Sequence, residues 1–141
     1  LLKQSLGEND ERFKNSNLSV KLDIPDTKIF INGDGQRLYR VFENLISNIV
    51  KYSLSNTRVY IQMYVDDENK VVIIMRNISA YELDFCANEI TNRFKRGDSS
   101  RSTEGSGLGL AIAKSIVELH GGKFNIEVDG DLFKSIIRLN Q

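Results

Sequence analysis

Gly105, Gly107 and Gly109 stand at alternate positions and run straight into an apolar helical pattern that begins at Leu108 and Leu110. Glycine has no side chain to hold a ligand away, and it reaches backbone conformations closed to other residues. The start of a helix leaves backbone N–H groups unpaired and carries partial positive charge. In series the two make a cradle for an anion, most often phosphate, lined by Gly105, Ser106, Gly107, Leu108 and Gly109. Taken alone, such a run also fits an ordinary loop. Residues well upstream narrow the choice.

Over residues 36–53, Leu38, Val41, Phe42, Leu45 and Ile49 recur at helical spacing as an apolar stripe. Asn44, Asn48 and Tyr52 recur at i, i+4 and i+8 on another face, with Lys51 beside them. Asparagine is a poor helix former, so two on one face ask for a reason. A solvated face is one reason. Chemistry is the other: a carboxamide oxygen is a neutral, hard ligand for magnesium, and a lysine suits a phosphate.

With a third segment, these two resemble the ATP-binding catalytic domain of bacterial sensor histidine kinases. That domain belongs to a wider group with gyrase, heat-shock chaperones and mismatch-repair ATPases. The family's N-box is similar to Glu43-Asn44-Leu45-Ile46-Ser47-Asn48-Ile49-Val50-Lys51-Tyr52-Ser53. Its phenylalanine box is similar to Arg93-Phe94-Lys95-Arg96-Gly97-Asp98-Ser99-Ser100-Arg101, and its second glycine box to residues 105–122. The order and separation of the motifs fit the histidine kinase branch, and the resemblance covers residues 18–139. One box departs from the pattern. Where the family has Asp-Asn-Gly-x-Gly after a strand, this chain has Asn77-Ile78-Ser79-Ala80. Asn77 stands at the Asp position and no glycine follows. Its oxygen can still accept a hydrogen bond from an exocyclic amine, without the charge.

The resemblance implies ATP and magnesium as cofactors and the residue roles that go with them. Asn48 would hold the metal, with Asn44 beside it, and Lys51 would face the phosphates. Tyr52 would pack on the base, although a core or rim tyrosine also fits that position. Asn77 would read adenine and Arg96 would face phosphate, with a surface arginine the alternative for Arg96. Gly105, Gly107 and Gly109 would admit the phosphates to the backbone. Glu43 and Asn44 would sit where the transfer site opens, Glu43 accepting a proton from the nucleophile or orienting it. A solvent-facing helix glutamate is the other reading of Glu43. Phe94 would anchor a lid. The implied reaction passes the γ-phosphoryl group of ATP to a histidine in an upstream dimerisation and phosphoacceptor domain.

The implied partners are that domain and a response regulator, in a parent that is a homodimer anchored in the bacterial membrane with this part in the cytoplasm. Two other functions stay open. One is a degenerate nucleotide-binding or protein-interaction module without kinase activity, and the other is a serine kinase of the anti-sigma type. The sole histidine, His120, ends the last helical pattern beside Gly121 and Gly122. A cation there suits the helix dipole, and this capping role is favoured over a phosphoacceptor role.

Composition sets the bounds. A chain of 141 residues is one domain by length and buries on the order of two thirds of its unfolded surface. Lys+Arg and Asp+Glu number 19 each, and this balance argues against nucleic acid as the main partner. Arg93, Lys95, Arg96 and Arg101 nevertheless cluster near the glycines, where they could neutralise phosphate. The single cysteine, Cys86, forbids an intrachain disulfide and lies among apolar residues that would bury it. The apolar run at residues 71–75 is far short of a membrane span, so no direct membrane contact is expected of this segment.

The elements that must position these residues follow from pattern. Residues 1–14 read as a short helix, the tail of a linker from the upstream domain, and residues 15–141 as the ATP-binding domain. Residues 18–24 alternate as a half-buried strand ended by Pro25, and residues 28–31 suggest a second short strand. Asn32-Gly33-Asp34-Gly35 is a turn and helix-cap signal before the asparagine-bearing helix. Residues 58–65 and 70–76 read as a hairpin through residues 66–69, and residues 81–94 as helical in part. Residues 95–106 are polar and aperiodic and read as a lid. Residues 108–119 form a helix closed by Gly121 and Gly122, before a last hairpin of residues 123–128 and 132–139. The order implies an α+β two-layer sandwich, a mixed and mainly antiparallel sheet backed by helices. The resemblance implies the same Bergerat-type ATP-binding fold.

Overall fold

A computed structural model of the chain describes residues 1–83 and 108–141. The run Val71 to Met75 is entirely aliphatic and thioether, and it is buried on both faces. Such a run belongs in the middle of a sheet. Its strand, β3 (Lys70–Ile78), is the central one of five. It pairs antiparallel with β2 (Thr57–Val65) on one side and β5 (Leu132–Asn140) on the other. Beyond β2 lies β1 (Leu18–Asp23), parallel to it, and beyond β5 lies β4 (Lys123–Asp129), antiparallel. The sheet is therefore mixed and mainly antiparallel, in the order β1-β2-β3-β5-β4.

The helices are α1 (Leu2–Glu8), α2 (Asp10–Asn15), α3 (Gly35–Tyr52) and α4 (Leu108–Leu119). Val59, Ile61, Val71, Ile73, Met75, Ile137 and Leu139 from the sheet share one core with Leu38, Val41, Phe42, Leu45, Ile46 and Ile49 of α3. Leu110, Ala113 and Val117 of α4 and Leu2, Leu6 and Phe13 of α1 and α2 join the same core. Each such side chain larger than alanine, fully buried, contributes about 1.5–3 kcal/mol. Val72 and Ile74 face the other side, where Tyr64 and Ile136 lie opposite them on the flanking strands. The fold is the α+β two-layer sandwich that the element order implied.

Two elements differ from expectation. The single helix expected over residues 1–14 is two, broken at Asn9, whose backbone leaves the helical region (φ −104°, ψ 7°). Residues 28–31 form no strand. Ile29 and Ile31 pack against the core while Phe30 is exposed, so the alternation is satisfied by burial alone, without a ladder partner. The expected partial helix of residues 81–94, the lid of residues 95–106 and Cys86 lie outside the described residues, apart from irregular residues 81–83.

Candidate functional site

The site is built on the side of α3 turned away from the core stripe. Its start is fixed by Asp34, whose carboxylate accepts from the N–H groups of Gln36 (3.0 Å) and Arg37 (3.3 Å). Its end is fastened to the end of β3. The Leu54 N–H donates to the Ile78 carbonyl and the Ala80 N–H to the Tyr52 carbonyl, each at 2.8 Å, and Ser53 bridges Ser79 between them. Ser79 is held from the far side, its N–H donating to the Asp131 carbonyl at 2.7 Å. The last turn of α3, which bears Asn48, Lys51 and Tyr52, is thus locked to the strand end that bears Asn77.

Asn77 is 3% exposed and lies in register with Phe133 of β5. Its Nδ2 donates to the Ser53 hydroxyl at 2.8 Å. Its Oδ1 is buried and has no hydrogen-bond partner among the described residues. A buried carbonyl without a donor costs about 1–3 kcal/mol, so this acceptor is open to a donor from beyond the described residues. The exocyclic amine of adenine is such a donor. Tyr52 lies close by, half-buried, with its ring edge-on to Tyr81 at 6.1 Å between centroids and 72° between planes. Burial, and secondarily the Tyr81 hydroxyl, pushes the Tyr52 phenol up from its ordinary value.

The second glycine segment meets α3 at one described point. A Cβ built on Gly109 would lie 3.6 Å from Asn44 Cβ and 3.7 Å from Asn44 Cγ, so the first turn of α4 rests on the N-box asparagine. Asn44 Nδ2, at this contact, is buried without a partner among the described residues. Asn48 is half-buried and Lys51 exposed on the following turns. Asn44, Asn48 and Tyr52 thus share α3, with Gly109 against Asn44 and Asn77 held by Ser53 at the helix end. Gly105, Ser106, Gly107, Arg96 and Phe94, and the side chain of Leu108, lie outside the described residues.

The far end of α4 is closed as its glycines predicted. Gly121 sits at φ +73°, its N–H donating to the Glu118 carbonyl (2.9 Å) and the Gly122 N–H to the Val117 carbonyl (3.0 Å). These two bonds are the paired closure of a Schellman motif. His120 departs from the cationic cap expected of it. Its Nε2 accepts the Asp34 N–H at 3.0 Å, and its Nδ1 lies 2.8 Å from the Ile116 carbonyl and can only donate to it. That pattern requires the neutral ring with its proton on Nδ1. His120 thus ties the end of α4 to the start of α3.

Glu43 is engaged by the N-terminal helices. Its Oε1 accepts from Asn9 Nδ2 at 2.9 Å, and Asn9 is 4% exposed at the break between α1 and α2. Asn9 also donates to the Ser5 carbonyl (2.8 Å) and accepts from Arg12 Nη1 (3.0 Å). Tyr39 donates to Glu8, and this bond, with burial and the nearby Glu43, pushes its phenol well above the usual range. Sequence reasoning missed Ser53 and Asn9 as contributors. Ser53 was visible only as the last residue of a motif, and nothing local connects Asn9 to a helix three elements away.

Among the described residues no three His, Cys, Asp or Glu side chains converge to hold a metal. No helix among them is long and apolar enough to cross a membrane.

Comparison with known proteins adds independent findings. A family model described as histidine kinase-, DNA gyrase B-, and HSP90-like ATPase matches residues 33–139. The chain is similar to sensor protein KdpD of Clostridium acetobutylicum, 32% identical over 138 residues, covering 95% of this chain and 15% of that protein. It is also similar to signal transduction histidine-protein kinase BaeS of Escherichia coli strain K12, 35% identical over 126 residues, covering 87% of this chain and 26% of that protein. The chain thus spans only a small part of these relatives. The mycobacterial sensor histidine kinase MprB superposes with a TM-score of 0.78 at 25% identity, over 98% of this chain and 90% of that one. The catalytic domain of histidine kinase ThkA does so with a TM-score of 0.79 at 21% identity, over 99% and 89%.

Proposed function

The chain belongs to the histidine kinase-, DNA gyrase B- and HSP90-like ATPase family, and on that premise we propose that it binds ATP and passes the γ-phosphoryl group to a histidine outside these residues, as the catalytic domain of a two-component sensor kinase. The observation that carries the reading is the buried, unpartnered Oδ1 of Asn77, held beside the end of the asparagine-bearing helix. That atom fits adenine, a flat base with an amine to donate. Tyr52 covers the base on one side. Asn44 and Gly109 form the seam along which the phosphates run toward the start of α4.

Magnesium fits the donor set as a shared ion. With no acidic cluster among the described residues, it would be held mostly by phosphate oxygens, and the Asn48 carboxamide oxygen is the protein's contribution. When bound it neutralises charge on the transferred group, and phosphoryl transfer is mainly positioning plus such neutralisation. The residues of this chain orient the base, seat the phosphates and exclude water. Lys51 and Arg96 add positive charge at the phosphates. Glu43, with one oxygen held by Asn9, seats α1 and α2 on α3 and in this reading orients the incoming nucleophile or accepts its proton.

The remaining parts of the reading are of the whole protein. Residues 1–14 lead from a dimerisation and phosphoacceptor domain, the parent is a membrane-anchored homodimer with this domain in the cytoplasm, and a response regulator takes the phosphoryl group onward. Calorimetric titration with a non-hydrolysable ATP analogue, with and without magnesium, tests the core of it. Saturable binding that strengthens with magnesium is expected, and Asn48→Ala should remove the magnesium dependence. Unchanged magnesium-dependent affinity in Asn48→Ala would sink the assignment of that residue. No binding at millimolar ligand would sink the ATPase reading and favour a protein-interaction module.

A further inference from the structure

Asn32-Gly33 is the one Asn-Gly pair in the chain. Glycine carries no side chain, so nothing shields the asparagine carboxamide from the next backbone nitrogen. The pair lies outside helix and strand, just before the cap Asp34, and both residues are exposed. Among the described residues neither the Asn32 carboxamide nor the Gly33 N–H has a hydrogen-bond partner. Asn9 is the opposite case: it is buried, and its amide is held by Ser5, Glu43 and Arg12.

We propose that Asn32-Gly33 is a self-modification site, where the chain deamidates through a cyclic imide, and that the isoaspartyl product releases the tie between the start of α3 and the end of α4. The Gly33 nitrogen attacks Asn32 Cγ. The N–Cγ bond forms, the Cγ–Nδ2 bond breaks, and Nδ2 leaves as ammonia with the proton that Gly33 gives up. Water then opens the imide, and no other reactant is consumed. Opening at Cγ gives aspartate with the backbone unchanged. Opening at the Asn32 carbonyl carbon gives isoaspartate, whose main chain runs through Cβ and Cγ and is longer by a methylene.

The surroundings leave that methylene little room. On one side Ile31 packs against the core. On the other, the α-carbon of Gly33 lies against the His120 ring, where a Cβ would meet Cδ2 and Nε2 together. The following N–H, that of Asp34, donates to Nε2 at 3.0 Å, and the Asp34 carboxylate caps α3. The ring cannot follow a displaced loop, because its Nδ1 is held by the Ile116 carbonyl at 2.8 Å. Only Asn32 and Gly33 lie between the two anchored points, so a longer main chain there pulls Asp34 off the ring. The helices that carry Asn44, Asn48 and Gly109 then lose the link between their far ends.

The test keeps the whole folded chain in neutral buffer for days to weeks and follows its mass and its tryptic peptides. An acid in place of the amide should appear in the peptide of residues 29–37, which ends at Arg37. Enzymatic methylation of isoaspartyl carboxylates should label most of it. Asn32→Gln, whose longer side chain closes an imide far more slowly, should stay unmodified. The isoaspartyl fraction, separated by chromatography, should unfold at lower urea than the fresh chain. Asn32→Asp, with the charge but not the methylene, should match the fresh chain. In His120→Ala the gap between isoaspartyl and fresh fractions should close, because the tie is already gone. The Asp34 N–H should also exchange with solvent faster in the isoaspartyl fraction, a readout that stands even if His120→Ala does not fold. Acid that forms only in the unfolded chain, or no faster at residue 32 than at other asparagines, overturns the site. An isoaspartyl fraction as stable as the fresh chain, a gap that persists in His120→Ala, or unmoved exchange at Asp34 overturns the release of the tie.

Discussion

At the scale of single residues, this site departs from its family pattern at Asn77, with nitrogen where a carboxylate oxygen is usual, and in the glycines missing after it. The substitution removes charge and keeps a partner at Ser53, whose hydroxyl can accept from the amide or donate to a carboxylate. Asn77→Asp should therefore fold and bind the ATP analogue more tightly, by about 1 kcal/mol, as a charge-assisted bond replaces a neutral one. Calorimetry of that variant decides it. Weaker binding would mean that the loop after Ile78, which lacks the family's glycines, has been rebuilt around the amide. The asparagine face of α3 was legible in the sequence because helical periodicity alone brings Asn44, Asn48 and Tyr52 together. The part played by Ser53 was not. Hydroxyls at helix ends are common, and its partner lies across a contact that only the completed sheet creates.

At the scale of elements, the two helices that make the site are held by a pin between their opposite ends. A Cβ on Gly33 would fall 2.5 Å from His120 Cδ2 and 2.9 Å from Nε2, and the ring is anchored at both nitrogens. Gly33→Ala should therefore destabilise the domain by about 1–3 kcal/mol through the displaced ring. In a His120→Ala background most of that penalty should vanish, a coupling above about 0.5 kcal/mol in a denaturation cycle. Additive effects would mean that the ring and the loop do not act as one contact. The glycine and the histidine were each visible as turn and cap signals, but their meeting was not, since 86 residues separate His120 from Asp34.

The hairpin of β2 and β3 carries a second marker. Asp66 accepts from the N–H groups of Lys70 (2.9 Å) and Glu68 (3.0 Å) and pairs with Arg138 of β5. The Lys70 N–H bond foremost, then Arg138 and the Glu68 N–H, hold its carboxyl below the ordinary value of 3.8. A lowered native value means that the unfolded chain takes up the proton first as pH falls. The stability Asp66 contributes is thus complete above pH 3.8 and is lost as the pH drops below it. Urea midpoints followed from pH 7 to pH 3 should show a shallower acid loss in Asp66→Asn than in the wild-type chain. Parallel curves would mean that Asp66 titrates alike in both states.

At the scale of the whole molecule, the state of the one histidine bears on where the proposed phosphoryl transfer ends. A phosphoacceptor needs a ring nitrogen with a free lone pair turned to the donor phosphate. On His120 the Nε2 lone pair is occupied by the Asp34 N–H, and Nδ1 carries the proton it gives to the Ile116 carbonyl. The ring also sits at the C-terminal end of α4, the opposite end from the turn where Gly109 meets Asn44. In the proposed reading the chain orients ATP, and its one histidine is not placed to receive the phosphoryl group. Incubated alone with ATP labelled at the γ position, it should acquire no acid-labile label. Mixed with a separately folded phosphoacceptor domain, it should transfer label to that domain, and His120→Gln should transfer as well as the wild-type chain once their stabilities are matched by temperature. Acid-labile label on the isolated chain that disappears in His120→Gln would place the acceptor within these residues. Acid-stable label on the supplied domain would instead point to a serine kinase.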